Sequence, residues 1–180
     1  TSSGSSSATS SRQPLYYALM NLTASHDVAR TRSALALDFD PRSRTRAELA
    51  ALEITDAMAA RGAQLQVLAV AVQFWLPGIP SIYYGDEAGM TGGTDPYNRG
   101  SFPWGKGNAP LTDFVRSLTA MYQETPLLRR GECEMLFFGE NVLGCRRFDE
   151  NGSVLALVNR GEGDAECFGV TVPGRGYILE

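Results

Sequence analysis

The chain has 180 residues, of which 43% are hydrophobic and 20% charged, and 20 acidic against 16 basic side chains give it a net charge of −4. This composition is typical of a globular protein. The acidic balance argues against nucleic-acid binding, which needs a basic surface, and no apolar run approaches the roughly 20 residues of a membrane span. The length also excludes a complete eight-fold βα barrel with a further sheet domain, since the barrel alone takes about 250 residues.

The beginning of the chain and its cysteines bear on processing and compartment. Residues 1–12 are rich in Ser and Gly and predict a flexible leader or linker, because they offer little apolar surface to bury. No signal peptide is recognised. The three widely spaced cysteines, Cys133, Cys145 and Cys167, favour free thiols in a reducing compartment and hence the cytoplasm. One disulfide with one free thiol stays open as the alternative.

The segment 13–128 predicts alternating strands and helices. Leu15–Leu22 indicates a strand or a buried turn leading into one. The further segments, in chain order, are a helix over Thr45–Ala60, a second helix over Ala63–Leu76 stopped by Pro77-Gly78, a buried strand over Ser81–Tyr84 and a helix over Thr112–Glu124 capped by Thr112. Helix, stop and short strand together form the αβ unit that barrels repeat.

The segment 129–180 changes to a period of two. Its strand candidates lie within 134–138, 142–148, 154–158 and 168–172. Asn151-Gly152 is a strong hairpin signal between two of them. The segment therefore predicts an antiparallel meander, joined to the α/β part near residues 127–131.

Two motifs carry the functional signal. Pro77–Met90, an apolar strand with a Gly-Asp-Glu exit, is followed by Asp95–Arg99 and by Phe102–Trp104 in a long loop rich in Gly, Pro and aromatic residues. Long structureless loops in compact proteins are usually functional. Upstream, Met20–Arg30 contains Asn-Leu-x-x-Ser-His-Asp-x-x-Arg. The two motifs occur in this order and resemble the eighth- and seventh-strand regions of the α-amylase family of glycoside hydrolases, with a leaning toward cyclomaltodextrinases and neopullulanases.

The resemblance implies a fold of two parts, which is α/β plus all-β. Residues 13–128 would be the last two βα units of a TIM (β/α)8 barrel, and residues 129–180 an antiparallel β-sandwich-type domain, for which truncation stays open. It implies a retaining hydrolase of the α-1,4-glucosidic bonds of starch, maltodextrin or cyclodextrin. The expected ligand is an α-glucan oligosaccharide, with no nucleic acid and no membrane as partner.

The catalytic candidates are Asp27 and His26, the only histidine of the chain. A lone His beside an Asp is more often structural, but the surrounding motif favours function. In the family that the motif resembles, the aspartate and the histidine hydrogen-bond the hydroxyls of the reacting sugar and strengthen those contacts in the transition state. Barrel active sites lie at the C-terminal rim of the strands, where this motif would place both side chains.

The chain offers no evident nucleophile and general acid, for which retention needs two carboxyl groups about 5 Å apart. Asp86 and Glu87 are adjacent, and neighbours on a strand face opposite ways. They are expected to be structural, anchoring loop amides or an arginine such as Arg99. The isolated chain is therefore expected to be inactive, and a non-catalytic carbohydrate-binding or structural module is the alternative function.

Further residues are expected to contact sugar. The resemblance implies that Asp95 and Arg99 bind a ring some way from the cleaved bond, although an intraloop salt bridge explains them as well. Tyr84 is a candidate for stacking on a sugar, against the alternative of ordinary packing.

No cofactor or metal is expected in the chain, and calcium is open only for the parent enzyme. Two barrel strands would leave unpaired edges, which predicts self-association.

Overall fold

A computed structural model describes Leu15 and residues 17–180, except for the side chains of residues 42, 46 and 50. The leader predicted for residues 1–12 lies outside the described residues. The elements are β1 (Met20–Leu22), α1 (Thr31–Ala36), a 3-10 turn (Pro41–Ser43), α2 (Arg46–Ala50), α3 (Asp56–Trp75), β2 (Ile79–Ser81), α4 (Ala109–Glu124), α5 (Pro126–Arg130), β3 (Glu132–Phe138), β4 (Val142–Asp149), β5 (Gly152–Asn159), β6 (Ala165–Cys167), β7 (Val170–Val172) and β8 (Gly176–Leu179).

The strands β1 and β2 form a short parallel pair in which Met20 lies opposite Ile79. Helix α3 holds the pair by side-chain amides. Gln73 donates to the carbonyls of Asn21 and Ser81, one on each strand. The Asn21 amide in turn donates to the carbonyl of Gln73. Since these bonds join the strands to the helix between them, they fix a parallel βαβ unit.

Helix α3 is longer and begins differently than the sequence predicts. The expected break between Ala60 and Ala63 does not occur, and the helix runs without interruption from Asp56. A capping box at Thr45 starts the separate five-residue helix α2 instead, and the side chain of Thr55 caps α3. The propensity of this Ala-rich stretch indicated helix correctly, but two capping threonines ten residues apart determined where each helix begins.

Two glycines let α3 approach its neighbours. A Cβ at Gly62 would lie 2.5 Å from the carbonyl oxygen of Arg32, so the absent side chain allows α1 to pack closely against α3. Gly78, in the predicted Pro-Gly stop, has a φ of 116°, a conformation that other residues rarely adopt. Its φ and its contact with the carbonyl of Leu19 turn the chain directly into β2.

The start of α4 corrects a second prediction. Asn108, not Thr112, is the N-cap, and its side chain accepts from the amide of Leu111 at 3.0 Å. Thr112 lies inside the helix and donates to the carbonyl of Glu87 at 3.0 Å. The helix therefore begins one turn earlier, and the threonine ties it to the loop after β2.

The strand expected over Ser81–Tyr84 also lies elsewhere, since β2 spans Ile79–Ser81 and is not fully buried. Ile79, Met20 and Leu22 are exposed. Among the described residues, β1 and β2 pair only with each other. The apolar sequence indicated a buried strand, but no further strand covers this face.

The antiparallel part confirms the predicted meander. The strands β3, β4, β5 and β8 form one sheet in that order, and β6 and β7 form a separate hairpin. The Asn151-Gly152 signal does mark a hairpin, with Gly152 as the first residue of β5. Asp149 accepts from the amides of Asn151 and Gly152, which stabilises the turn. The strands β6 and β8 were not predicted, because each is only three or four residues long.

Strand β5 separates two hydrophobic cores. Ala156 and Val158 pack on one side with residues of α3, α4 and α5, including Trp75, Leu118 and Leu128. Leu157 points to the other side and packs with residues of the β6–β7 hairpin. This alternation follows from the period of two in a strand.

Within the described part of the chain, no helix is both long and apolar enough to cross a membrane.

Arg147 joins the sheet to the helical part. This fully buried residue of β4 donates to the carbonyl of Trp75, the last residue of α3, at 3.0 Å and to the carbonyl of Leu128 within α5 at 2.7 Å. It also donates to the carbonyls of Gly131 and Glu132. One guanidinium thus donates to four carbonyls where α3, α5 and β3 meet.

We expect Arg147→Met to lower the free energy of unfolding by about 3 kcal/mol or more, because it removes charge-assisted hydrogen bonds from four backbone carbonyls at once. Urea denaturation measures the change. The matched control is Arg146→Met, since Arg146 is the exposed neighbour and pairs with Glu134 at 3.7 Å. The control is expected to cost less than about 1 kcal/mol. Equal effects of the two substitutions would contradict this role of Arg147.

Candidate active site

The candidate site lies at the C-terminal ends of β1 and β2. The strands are parallel, so the loops that follow them emerge at the same edge. The first loop carries His26 and Asp27, and the second carries Tyr84 and Asp86. The two sequence motifs are therefore adjacent in space.

A buried ion pair joins the two loops. The Arg30 Nη1 lies 3.1 Å from the Asp86 Oδ1, and the two side chains are 0% and 3% exposed. The same nitrogen donates to the carbonyl of Tyr84 at 2.7 Å. The guanidinium carbon also lies 4.7 Å and 4.8 Å from the ring centroids of Tyr83 and Tyr84, which adds cation–π attraction.

Asp86 has partners on both of its carboxylate oxygens. Besides Arg30, the hydroxyl of Thr31 donates to Oδ2 at 2.7 Å. The carbonyl of Asp86 accepts from the Gln66 amide at 2.9 Å, and Gln66 itself accepts from the Arg32 Nε. Burial lowers the pKa of Arg32, and Asp86 opposes that shift. Asp86 is thus the centre of a network that connects α1, α3 and the loop after β2.

This network corrects part of the sequence interpretation. Asp86 was expected to be structural, which fits its burial, but its arginine is Arg30 and not Arg99. Asp86 and Glu87 lie in a turn, not on a strand, so the argument from opposite strand faces does not apply. Glu87 has one carboxylate oxygen buried without a hydrogen-bond partner among the described residues.

His26 and Asp27 lie next to each other on the surface. The His26 Nε2 is 3.3 Å from the Asp27 Oδ2, and their side chains are 64% and 72% exposed. Their loop is held from below by the fully buried Asn98, whose amide donates to the carbonyls of Ser25 at 3.0 Å and Val28 at 2.8 Å. The backbone that presents the pair is therefore fixed, while both functional groups face solvent.

The other predicted residues lie in the loop after β2. Asp95 and Arg99 form the intraloop ion pair, with the Arg99 Nε 2.6 Å from the Asp95 Oδ1, and both are half exposed. The Tyr84 hydroxyl donates to the carbonyl of Gly100 at 2.9 Å, so this tyrosine links the start of the loop to its far side. Neither contact involves His26 or Asp27.

The loop aromatics and a nearby groove add surface for a ligand. Tyr97 and Trp104 are strongly exposed, and Trp104 packs on Phe102 with ring centroids 4.6 Å apart. An apolar groove of about 540 Å³ lies beside the loop, and Asp95 and Tyr97 line it with residues from 29 to 54. His26, Asp27 and Tyr84 do not line this groove, so it is separate from the catalytic candidates.

Metal ligation finds no support in the described residues. Among residue 15 and residues 17–180, no three His, Cys, Asp or Glu residues form a group that could hold a metal ion.

Sequence reasoning missed Gln66 and Asn98. Gln66 lies in a helix that the sequence indicates by its apolar positions, so its polar side chain gives no signal in that pattern. However, Gln66 is seven residues before Gln73 and lies on the same helical face, and two glutamines at this spacing in an apolar stretch indicate polar contacts there. Asn98 belongs to the Asp95–Arg99 motif, in which only the charged residues carry a signal for sugar binding. Both are fully or almost fully buried and donate to backbone carbonyls.

We expect Arg30→Met to lower the free energy of unfolding by about 3–5 kcal/mol, since it leaves the Asp86 charge buried without a cation. Urea denaturation measures the loss, and the double variant Arg30→Met/Asp86→Leu is expected to recover part of it.

The control for this prediction is Arg116→Met, which removes the exposed Arg116–Asp113 pair. It is expected to cost less than about 1 kcal/mol. A loss for Arg30→Met as small as that of the control would show that the buried pair is not what holds the loops.

Comparisons with known proteins place this site in context. The chain is 34% identical over 142 residues to an amylopullulanase of Thermoanaerobacter thermohydrosulfuricus, a match that covers 77% of the chain and 9% of the relative. It is 39% identical over 98 residues to a cyclomaltodextrinase of Geobacillus thermopakistaniensis (strain MAS1), covering 52% of the chain and 17% of the relative. No family model matches. The chain thus spans about a tenth of the length of the amylopullulanases it matches.

The fold comparison agrees with the sequence comparison. The cyclic α-maltosyl-(1→6)-maltose hydrolase from Arthrobacter globiformis superimposes with a TM-score of 0.69 at 25% identity, over 90% of this chain and 34% of that one. That hydrolase has also been solved in complexes with cyclic α-maltosyl-(1→6)-maltose and with maltose. The resemblance seen in the two motifs is confirmed: the chain is homologous to the C-terminal part of α-amylase-family glycoside hydrolases of the cyclomaltodextrinase and neopullulanase type.

Proposed function

We propose that this chain forms a C-terminal part of a retaining α-glucan hydrolase. Residues 13–128 provide the last two βα units of its (β/α)8 barrel, and residues 129–180 provide the antiparallel domain that follows. The observation that carries the proposal is the parallel β1–β2 pair, whose C-terminal loops are locked together by Arg30 and Asp86 while His26 and Asp27 face solvent at the same edge. Active sites of βα barrels lie at this edge.

The orientation of the strand residues supports the barrel. Asn21 faces α3, which would belong to the outer ring of helices. Met20 and Leu22 therefore point the other way, and Ile79 lies opposite Met20 on the neighbouring strand. Large apolar side chains fill the interior of such a barrel. The exposed apolar face of β1 and β2 is the face that a complete barrel would bury.

Asp27 and His26 take the role of transition-state stabilisers in this proposal. A carboxylate and an imidazole on a fixed loop can accept and donate hydrogen bonds to vicinal hydroxyls of a glucose ring. Those contacts strengthen as the ring flattens toward an oxocarbenium ion, provided that the groups do not need to reorganise. Asn98 supplies this rigidity by holding the backbone on both sides of the pair.

The nucleophile and the general acid come from outside this chain. Asp86 has both oxygens bound by Arg30 and Thr31 and is buried, so it is not free to attack a sugar. Asp95 is engaged with Arg99. The isolated chain is therefore proposed to bind α-glucans without hydrolysing them.

The proposed ligand is an α-1,4-linked glucose oligosaccharide. The support is the homology to amylopullulanases and cyclomaltodextrinases and the maltose complex of the Arthrobacter hydrolase. Asp95, Arg99 and Tyr84 would contact a sugar ring further from the cleaved bond, because their loop lies beside the His26–Asp27 loop at the same edge.

The first test measures binding and hydrolysis of the same sugars. Isothermal titration with maltooligosaccharides is expected to show weak binding that Asp27→Asn reduces by about tenfold, because a hydrogen bond to a charged group contributes about 1.5–3 kcal/mol. Incubation with cyclodextrin, pullulan and starch is expected to release no new reducing ends.

Matched variants separate the possible results. Asp95→Asn is expected to weaken binding, whereas Asp113→Asn, which breaks a similar exposed Asp–Arg pair on α4, is not. If the wild-type chain hydrolyses a sugar and Asp27→Asn abolishes this activity, the proposal that the nucleophile and the general acid come from outside this chain would be overturned. If Asp27→Asn leaves binding unchanged, the result would favour the alternative function of a non-catalytic carbohydrate-binding module. If the chain binds none of these sugars, the result would favour a structural module.

We also propose that the isolated chain self-associates through β1 and β2. Each strand has one partner in the described fold, and Met20, Leu22 and Ile79 expose apolar surface beside the unpaired edges. Such edges pair readily with another chain.

Size-exclusion chromatography with light scattering is expected to show a dimer whose fraction increases with protein concentration. Leu22→Lys is expected to shift the protein toward the monomer, since a charge at a strand edge opposes pairing. Ile54→Lys is the control, because Ile54 is similarly exposed but lies before α3. A wild-type monomer at high concentration, or equal effects of both lysines, would contradict this proposal.

A further inference from the structure

Two cysteines on neighbouring strands lie in direct contact. The Sγ atoms of Cys133 on β3 and Cys145 on β4 are 3.3 Å apart and share a hydrogen bond. Both carry free thiols, Cys133 partly exposed and Cys145 buried. The register puts Cys133 opposite Arg147 and Cys145 opposite Met135, so the two residues are diagonal neighbours on one face of the sheet. The sequence analysis leaves one disulfide open without assigning its partners, and eleven residues separate these two cysteines along the chain.

The surroundings favour a thiolate on this face. Arg147, directly opposite Cys133, is a buried cation that donates to backbone carbonyls and lies 5.7 Å from the ring centroid of Tyr17, and no carboxylate of the described residues forms an ion pair with it. The hydrogen bond from Cys145 lowers the pKa of Cys133 to about 7, against the effect of burial and with the help of Arg147. The same hydrogen bond and burial raise the pKa of Cys145.

We propose that Cys133 and Cys145 form a redox-active dithiol that small-molecule disulfides oxidise to an intramolecular disulfide. Cys133 is the attacking residue, since it is the exposed member of the pair. Cys145 is the resolving residue, since its buried sulfur lies against Cys133. This site goes beyond the glycosidase proposal and does not depend on it.

The reaction balances with a disulfide such as oxidised glutathione as the oxidant. The Cys133 thiolate attacks one glutathione sulfur, which forms a mixed disulfide and releases one glutathione thiolate. The Cys145 thiol then loses its proton to that thiolate and attacks the Cys133 sulfur, which releases the second glutathione thiolate. Two protein thiols are oxidised, and one glutathione disulfide is reduced to two thiols.

The geometry requires little movement. A disulfide bond is about 2.05 Å long, so the two sulfurs must approach by roughly 1.3 Å. The Cys145 Sγ also lies 3.5 Å from the Trp75 carbonyl oxygen, which its single S–H can reach as an alternative to Cys133, and the Cys133 Sγ lies 3.8 Å from the Met135 sulfur. Both are weak hydrogen bonds that a side-chain rotation breaks at small cost.

The third cysteine provides an internal control. Cys167 is buried in the second core among Val142, Leu157 and Val172. Trypsin cleaves after Arg130 and Arg146, so one peptide, 131–146, contains both Cys133 and Cys145. Cys167 lies in a separate peptide, 161–175. One digest therefore reports on the pair and on the control together.

The test equilibrates the whole chain with a series of reduced to oxidised glutathione ratios, alkylates the remaining thiols and digests the protein. We expect peptide 131–146 to convert to a form that lacks two hydrogens and carries no alkyl group, while peptide 161–175 stays alkylated. Two alkyl groups on peptide 131–146 at every ratio, a persistent mixed disulfide, or a disulfide to Cys167 would each overturn the proposal.

Two variants assign the roles. Cys145→Ser is expected to trap Cys133 as the mixed disulfide with glutathione, and Cys133→Ser to leave Cys145 alkylated. The alkylation rate of Cys133 in the wild type is expected to be half-maximal near pH 7, not near the ordinary thiol value of about 8.5. Since this pKa is lowered, the reactivity is present above about pH 7 and is lost below it. The opposite trapping pattern would overturn the assignment of Cys133 as the attacking residue.

Discussion

The buried ion pair between Arg30 and Asp86 is the constraint on which the geometry of the site depends. Removing two such charges from water costs several kcal/mol for each ion, so the pair is maintained only because further groups compensate it. The Tyr84 carbonyl, the Thr31 hydroxyl and two tyrosine rings do so. What the pair provides is position: it fixes the loop after β1 against the loop after β2.

The same device recurs at three other junctions of this fold. Long polar side chains donate to backbone carbonyls at the ends of strands and helices: Gln73 between β1 and β2, Asn98 beneath the His26–Asp27 loop, and Arg147 between the helices and the sheet. Each bond satisfies an acceptor that regular secondary structure leaves open. The exposed His26–Asp27 pair contributes little stability by comparison, so its placement is a result of these buried contacts.

Sequence reasoning succeeded where the signal was local and failed where the partner was distant. The Asn151-Gly152 hairpin, the Pro77-Gly78 stop and the strand periodicity after residue 131 were all visible in short windows, and the segments that carry the two motifs do lie side by side. The partner of Asp86 was predicted wrongly, because Arg30 is 56 residues away and Arg99 is closer in sequence. The start of α4 was misplaced because Asn108 and Thr112 are both good caps, and only the packing of the loop decides between them.

The end of helix α3 connects the two functional regions that we propose. Its last residue, Trp75, accepts through one carbonyl from Arg147 and from Cys145, while Pro77 and Gly78 lead directly into β2. A disulfide between Cys133 and Cys145 would remove the Cys145 donor from that carbonyl and leave the Arg147 bond as its side-chain contact. Because the Arg147 bond is charge-assisted and the thiol bond is weak, oxidation should change the sheet locally and leave β2 and the sugar-facing loops in place.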